Sequence, residues 1–274
     1  MIHKLGLLGV FILIACSSNA SKQDGIEQQR PLIEISDLYA AGHAQLELAL
    51  QADPAVGKIL DSNLAATLLI TLTIEYEDGE KERIQQSGSF INNGEYILTA
   101  GHGFFVDSGK LIGLEAQTIS LQKLALNVVA LGYSKDEFSK QDWAILQPVD
   151  PRRTKSLDIV SAGYSGKDAY ILGFPGGMGL NDSSRIVHAL EVDEGSVYPL
   201  AVICERSLTR PGILTPKVGA IPVQGMSGAP VLSENGLLIG LFSSISRTRN
   251  VAGWHYIFHM SDLPIKTLDS LRLK

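Results

Sequence analysis

One short stretch of the chain carries the residue types that acyl transfer needs. Gly225-Met226-Ser227-Gly228-Ala229-Pro230 sets a serine among glycines. Glycine lets the backbone bend there, so the hydroxyl is exposed and nearby N–H groups converge on one point. A tetrahedral intermediate carries an oxyanion, and preorganised N–H donors stabilise it. The N–H groups of Gly225 and Ser227 are the candidates. The same residues would also serve as a plain glycine-rich turn before the strand-like Val231-Leu232. The pattern is not the G-x-S-x-G elbow, because the second glycine follows the serine directly and no helical pattern comes after it.

A serine hydroxyl is a weak nucleophile and requires a base. Six histidines are available. His3 lies in the short positive start before an apolar N-terminal run, His43 in a helical pattern, and His188 in the strand-like Ile186-Val187-His188-Ala189-Leu190. His255 and His259 flank the aromatic run between them, which has a β texture and no H-E-x-x-H pattern, so no metal and no cofactor are expected. His102, in Ile97-Leu-Thr-Ala-Gly-His-Gly-Phe-Phe105, sits at a strand end with small neighbours Ala100, Gly101 and Gly103 that leave room for a reacting group. By itself it is equally a histidine that closes a strand. A base needs an acid to fix its tautomer. Asp142 ends the polar loop that starts at Ser134 and opens the apolar Trp143-Ala144-Ile145-Leu146; Asp136, within the loop, is the rival. Cys204 follows Leu200-Ala201-Val202-Ile203 and reads as a buried strand residue rather than a nucleophile.

The elements that must position these residues are mostly strands. Thr67–Tyr76 is β-branched and apolar, and Asp78-Gly79 follows as a hairpin turn; Ser89–Leu98 is a second hairpin turning at Asn93-Gly94. Strand-like runs recur at 117–131, 143–149, 169–174, 186–192, 197–204, 219–224 and 237–245. Many short strands with long loops indicate a β sandwich or barrel, not α/β units. Pro148, Pro151 and the segment Asp150–Lys155 read as the connection between two halves. Apolar residues at helical spacing from Ile35 to Leu50 predict a helix over 34–51 that stops before Asp53-Pro54, within a helical segment assigned to 34–64. A short C-terminal helix is expected over about 262–272, capped by Ser261 or Asp262.

The chain carries a formal charge of −6 with no Lys/Arg stripe, so nucleic acid is not an expected partner. Residues 1–15, with Lys4 before the apolar Leu5–Ala15, read as a signal-peptide core too short to span a bilayer comfortably. Leu13-Ile14-Ala15-Cys16 resembles a bacterial lipoprotein signal, which implies cleavage before Cys16 and lipid on that cysteine, hence membrane attachment in the cell envelope. Ser17, with no aspartate there, favours the outer membrane over the inner. Residues 16–33 are then a polar tether.

Each candidate is ambiguous alone, and the set is not. The order His102, Asp142, Ser227 in an all-β chain resembles the chymotrypsin/trypsin-like serine protease family, in its bacterial, disulfide-poor form. Phe90–His102 resembles the strand-turn-strand into a T-A-x-H histidine, Asp142–Leu146 the D-x-A-x-L acid motif, and Gly225–Pro230 the G-x-S-G-x-P nucleophile turn; Tyr170–Gly176 adds a G-[YF]-P segment. The resemblance spans roughly 65–271. It implies two six-stranded antiparallel β barrels, about 65–150 and 156–260 within a 65–274 peptidase domain, with the site in the cleft between them. His102 and Asp142 would come from the first barrel and Ser227 from the second, acting on protein or peptide substrates. By family position Ile221 would lie at the base of the primary pocket and Phe242, Ser243 and Ser244 along its wall. No acid stands there, so a small or apolar substrate residue is expected rather than Lys or Arg.

Two departures matter. Met226 replaces the acid that often precedes the family serine, so a salt bridge to a freshly cut N-terminus is impossible and no such activation switch is expected. Gly103 stands where disulfide-rich relatives have cysteine. The other reading of the whole is a non-catalytic, protein-binding lipoprotein on the same fold; a lipase or esterase fits less well because the α/β pattern is missing. Oligomeric state is not legible.

Overall fold

The computed structural model describes residues 54–106, 108–120, 122–134, 141–151, 153–160, 164–174, 200–210, 212–216, 225–250 and 253–272. The expected signal, the tether, Cys16, the 34–51 helix, Asp136, the 186–192 run, the 219–224 run and Ile221 lie outside them.

Among the described residues, twelve strands form two closed barrels. The first contains β1 (Thr67–Tyr76), β2 (Lys81–Ile91), β3 (Tyr96–Thr99), β4 (Gly109–Thr118), β5 (Lys123–Tyr133) and β6 (Asp142–Pro148), closed in the order β1-β2-β3-β6-β5-β4. The second contains β7 (Asp168–Gly173), β8 (Leu200–Arg206), β9 (Ile213–Pro216), β10 (Pro230–Ser233), β11 (Leu238–Asn250) and β12 (Gly253–Ser261), closed as β10-β11-β12-β9-β8-β7. Counted around the ring, the two orders are the same. The strand pairings within both barrels are antiparallel. The double antiparallel barrel is thus the fold that the resemblance implied.

Local chemistry explains the turns. Gly79 takes φ +84° between β1 and β2. Between β2 and β3 the chain passes through Asn92, Asn93 and Gly94, all at positive φ, which asparagine and glycine tolerate best. The run read as one strand over 117–131 is two, β4 and β5. The Thr118 hydroxyl accepts the Gln122 N–H at 3.1 Å and the Thr118 N–H donates to the Gln122 carbonyl at 3.0 Å. A threonine side chain closes this turn without glycine or proline, so the usual punctuation is missing.

The barrels have separate interiors and a shared seam. Leu68, Ile70, Leu72, Ile97, Ala144 and Leu146 fill the first, and Ile171, Leu214, Met226, Val231, Phe242 and Phe258 the second. Ile91, Leu98 and Ile145 of the first barrel pack with Leu172, Leu238 and Leu241 of the second. The connector is stitched to both: the Leu157 N–H donates to the Phe90 carbonyl and the Val160 N–H to the Leu238 carbonyl.

Among the described residues, two helices brace this seam. The first, α1 (Pro54–Leu64), begins at the proline before which the 34–51 helix was expected to stop. Proline suits a first helical turn, where its missing N–H is not needed. The second, α2 (Ile265–Arg272), starts later than expected. The Pro264 carbonyl accepts its first bond, from the Leu268 N–H at 3.0 Å. Ser261 is not its cap but the buried last residue of β12.

Candidate active site

The first barrel brings His102 and Asp142 together. His102 opens a single 3-10 turn, His102–Phe104, just past β3. Asp142 is the first residue of β6, which pairs with β3. Its Oδ1 accepts the N–H groups of Gly101 at 2.9 Å and His102 at 2.8 Å, and its Oδ2 lies 2.8 Å from His102 Nδ1. The Ser243 hydroxyl donates to the same Oδ2. The His102 side chain is 30% exposed and that of Asp142 is 0% exposed. The ring therefore turns one nitrogen to a buried carboxylate and keeps part of itself open to solvent. Burial alone would raise the pKa of Asp142; the His102 ring, its charge, the Ser243 hydroxyl and the His102 N–H outweigh that and hold it below the usual value.

Ser243 reaches Asp142 because of a bulge. In the β11–β12 pairing Phe242 faces Met260 and Ser244 faces His259, so Ser243 is the extra residue. A bulge re-aims one side chain out of the strand's alternation. Here it frees a second-barrel hydroxyl to cross to a first-barrel carboxylate. Ser261, across the same pair of strands, accepts the Asp142 N–H at 3.0 Å. Both serines fix Asp142 from the opposite barrel.

The nucleophile turn lies between β9 and β10. Gly225 and Gly228 take φ +94° and +82°, on either side of Met226 and Ser227. Those angles suit glycine and strain other residues. Met226 is fully buried in the second barrel's core, which is compatible with its neutral side chain. The Gly228 N–H donates to the Phe242 carbonyl at 2.7 Å. Among the described residues, the N–H groups of Gly225 and Ser227 donate to no backbone carbonyl. The Ser227 hydroxyl lies 3.4 Å from the Ser243 carbonyl. Ser243 thus touches both ends of the candidate set, its hydroxyl on Asp142 and its carbonyl on Ser227.

The turn is pressed against the strand leading to the histidine. A Cβ on Gly228 would collide with the Ser87 carbonyl and Thr99 Oγ1 and lie 2.5 Å from the Ala100 N. Gly101 and Gly103 serve a similar need. A Cβ on Gly101 would lie 2.8 Å from the carbonyl oxygens of Gly132 and Trp143, and one on Gly103 would collide with the Gln86 amide oxygen. These glycines let buried groups pack closely next to the histidine, backbone at Gly101 and the Gln86 side chain at Gly103.

The residues expected along the pocket wall differ in their surroundings. Phe242 is buried in the second barrel, edge-on to Phe258 at 6.1 Å between ring centroids. Ser243 is committed to Asp142. Ser244 alone of the three is partly exposed. Of the histidine pair, His259 is half-buried with its Nε2 2.8 Å from the Ser246 hydroxyl, and burial lowers its pKa. Among the described residues, no group of three His, Cys, Asp or Glu side chains could hold a metal ion. Cys204 is fully buried in β8.

Comparison with known families agrees with this architecture. A family model described as a trypsin-like peptidase domain matches residues 86–241. The chain belongs to the trypsin-like peptidase family. The match begins at Gln86, in the strand before the histidine, and ends beyond the serine, so it takes in His102, Asp142 and Ser227 of this trypsin-like domain. Family membership makes the chain a peptidase, with proteins or peptides as substrates. No curated protein gives a significant match to the chain.

Sequence reasoning had missed Ser87, Gln86 and Ser261, and the contact of Ser243 with Asp142. One signal was available. Gln85-Gln86-Ser87-Gly88-Ser89 is a polar, small-residue interruption in a strand that resumes with Phe90-Ile91. Residues 86–89 are all buried. Buried polar groups generally require partners, and those of the Gln86 amide nitrogen and of Ser87 are at Thr99, Ala100, Phe174, Gly225 and Ser227, around the site.

Proposed function

We propose that the chain is a serine endopeptidase using Ser227 as nucleophile, His102 as general base and Asp142 as the orienting acid. Ser227 attacks the scissile carbonyl, and His102 takes its proton and later delivers it to the leaving amine. Asp142 holds the ring in the Nδ1–H tautomer and stabilises the imidazolium. The N–H groups of Gly225 and Ser227 receive the oxyanion. The observation that carries this reading is the continuous set of contacts from the His102 ring through Asp142 Oδ2 and Ser243 to the Ser227 hydroxyl. The test is fluorophosphonate labelling of the chain from Ser21 onward beside Ser227→Ala, with a peptide-cleavage assay on the same samples. Labelling and cleavage by the parent alone is the expected result. A native parent that neither labels nor cleaves would leave the binding-protein reading ahead.

The same proposal places the enzyme on the bacterial envelope, held by lipid on Cys16 after removal of residues 1–15 and facing the periplasm or the cell surface. The sequence Leu13-Ile14-Ala15-Cys16 supports this. Incorporation of labelled palmitate that disappears in Cys16→Ser is the expected outcome, and equal incorporation in both would remove the anchor.

A further inference from the structure

We propose that Ser87, on the first barrel, is a positioning residue for the oxyanion-binding turn of the second. The proposal rests on the serine-peptidase reading above and adds to it a device that keeps the turn in its working shape without an activation cleavage.

Ser87 lies in β2 and is fully buried. Its N–H donates to the Ser227 carbonyl at 2.8 Å. Its hydroxyl accepts the Phe174 N–H at 2.8 Å and faces the Gly225 carbonyl at 2.9 Å and the Phe174 carbonyl at 3.3 Å. A hydroxyl has one proton to give, and the shorter contact is Gly225. Its own carbonyl accepts the Thr99 hydroxyl at 2.6 Å. Every polar group of this residue is therefore spent, and two of them hold the segment around Ser227.

The bonds fall in informative places. A bond to the Gly225 carbonyl fixes the peptide plane between residues 225 and 226. A bond to the Ser227 carbonyl fixes the plane between 227 and 228. The plane between them carries the Ser227 N–H, one of the two proposed oxyanion donors. It is bracketed on both sides, and Met226 anchors it from below in the apolar core. Gly225, at φ +94°, would otherwise have wide freedom to turn its peptide away. In this chain no acidic side chain precedes Ser227 to hold the turn by an ion pair, since the residue there is Met226. The hold comes from the other barrel, and it is present as soon as the barrels dock.

β2 supplies its own control. Ser89 is two residues along, equally buried, and among the described residues its hydroxyl has no hydrogen-bond partner. Ser87→Ala and Ser89→Ala make the same chemical change at the same depth, and only the first releases the turn.

The test compares these two variants in the full-length chain with the parent, by peptide hydrolysis, fluorophosphonate labelling and hydrogen exchange of the peptide spanning 225–233. Ser87→Ala should lower kcat about 10- to 100-fold with KM changed less than about threefold, because a misplaced oxyanion donor weakens the transition state and not the ground state. Its 225–233 amides should exchange faster. Ser89→Ala should match the parent in all three readouts. A Ser87→Ala enzyme with parental kcat, or one whose loss Ser89→Ala shares, would overturn the proposal while peptidase activity stands. If the parent itself neither cleaves nor labels, the peptidase reading fails. Hydrogen exchange then still decides the clamp, and unchanged protection in Ser87→Ala overturns it.

Discussion

Asp142 and Ser227 belong to different barrels, both touch Ser243, and they are held there by different means. Around Asp142 the work is done by donors to one buried charge: two backbone N–H groups, a ring N–H and a hydroxyl. Around Ser227 it is done by shape: two glycines at positive φ, a buried methionine, and a Cβ-free approach of Gly228 to Ser87, Thr99 and Ala100. The first half is sensitive to lost charge and lost donors. The second is sensitive to added atoms. A substitution that would be mild in one half is severe in the other.

The largest effects should come from the reacting groups. Ser227→Ala and His102→Ala should each lower kcat/KM by about 10⁵-fold or more, and the double variant by little beyond either, since the two act as a unit. Losses that multiplied would break the proposed triad. Asp142→Asn should cost about 10⁴-fold. It should also carry a pH signature on stability. The Asp142 pKa is lowered on folding, so its contribution is complete above the ordinary aspartate value of about 3.9 and is lost as pH falls through the lower folded value. The stability gap between parent and Asp142→Asn, followed by thermal melting, should therefore narrow only in that acid range. A constant gap down to the lowest pH would mean that the carboxylate is not held as described.

On the serine side the corresponding change is a single methyl group. Gly228→Ala combines a strained φ with a collision against backbone, and should destabilise by about 3 kcal/mol or more. Denaturant unfolding would show it. Gly79→Ala is the control, since its φ of +84° is similar but nothing lies within 4 Å of the added Cβ. It should cost about 1–2 kcal/mol, the backbone strain alone. Equal losses at the two sites would show that close approach of the barrels does not constrain the nucleophile turn.

The same contrast explains what was legible in the sequence. The hairpin at Asp78-Gly79, the turn at Asn93-Gly94 and the β texture are signals written within a few residues. So are the motifs around His102, Asp142 and Ser227. What holds those motifs in place is not local. Ser243 meets Asp142 across 101 residues, Ser261 across 119, and Ser87 meets Gly225 across 138. In strand alternation each is simply a serine. Ser243 was further disguised by the bulge that turns it, and Ser261 by the helical pattern that follows it, although the helix itself starts at Ile265. The common strand order of the two barrels left no repeat in the residues, because a barrel constrains alternation and turns rather than identities.

Gln86 is where the two styles of support meet, and it sets the finest test. It is buried beside Gly103, and its amide nitrogen donates to Thr99 Oγ1 at 2.8 Å and the Ala100 carbonyl at 3.2 Å. The Thr99 hydroxyl gives its proton to the Ser87 carbonyl, so the group facing it must be the nitrogen and not the oxygen. A relay therefore runs from Gln86 through Thr99 to Ser87, whose N–H holds Ser227. Gln86→Ala should destabilise the fold by about 2–3 kcal/mol through lost bonds and a cavity. If the relay links the halves, Gln86→Ala and Ser87→Ala should not add. Their coupling in a double-mutant cycle of unfolding free energies should be about 0.5–1 kcal/mol, above the scatter of independent sites. Strict additivity would mean that the side-chain frame around the histidine and the backbone frame around the serine are built side by side without supporting each other.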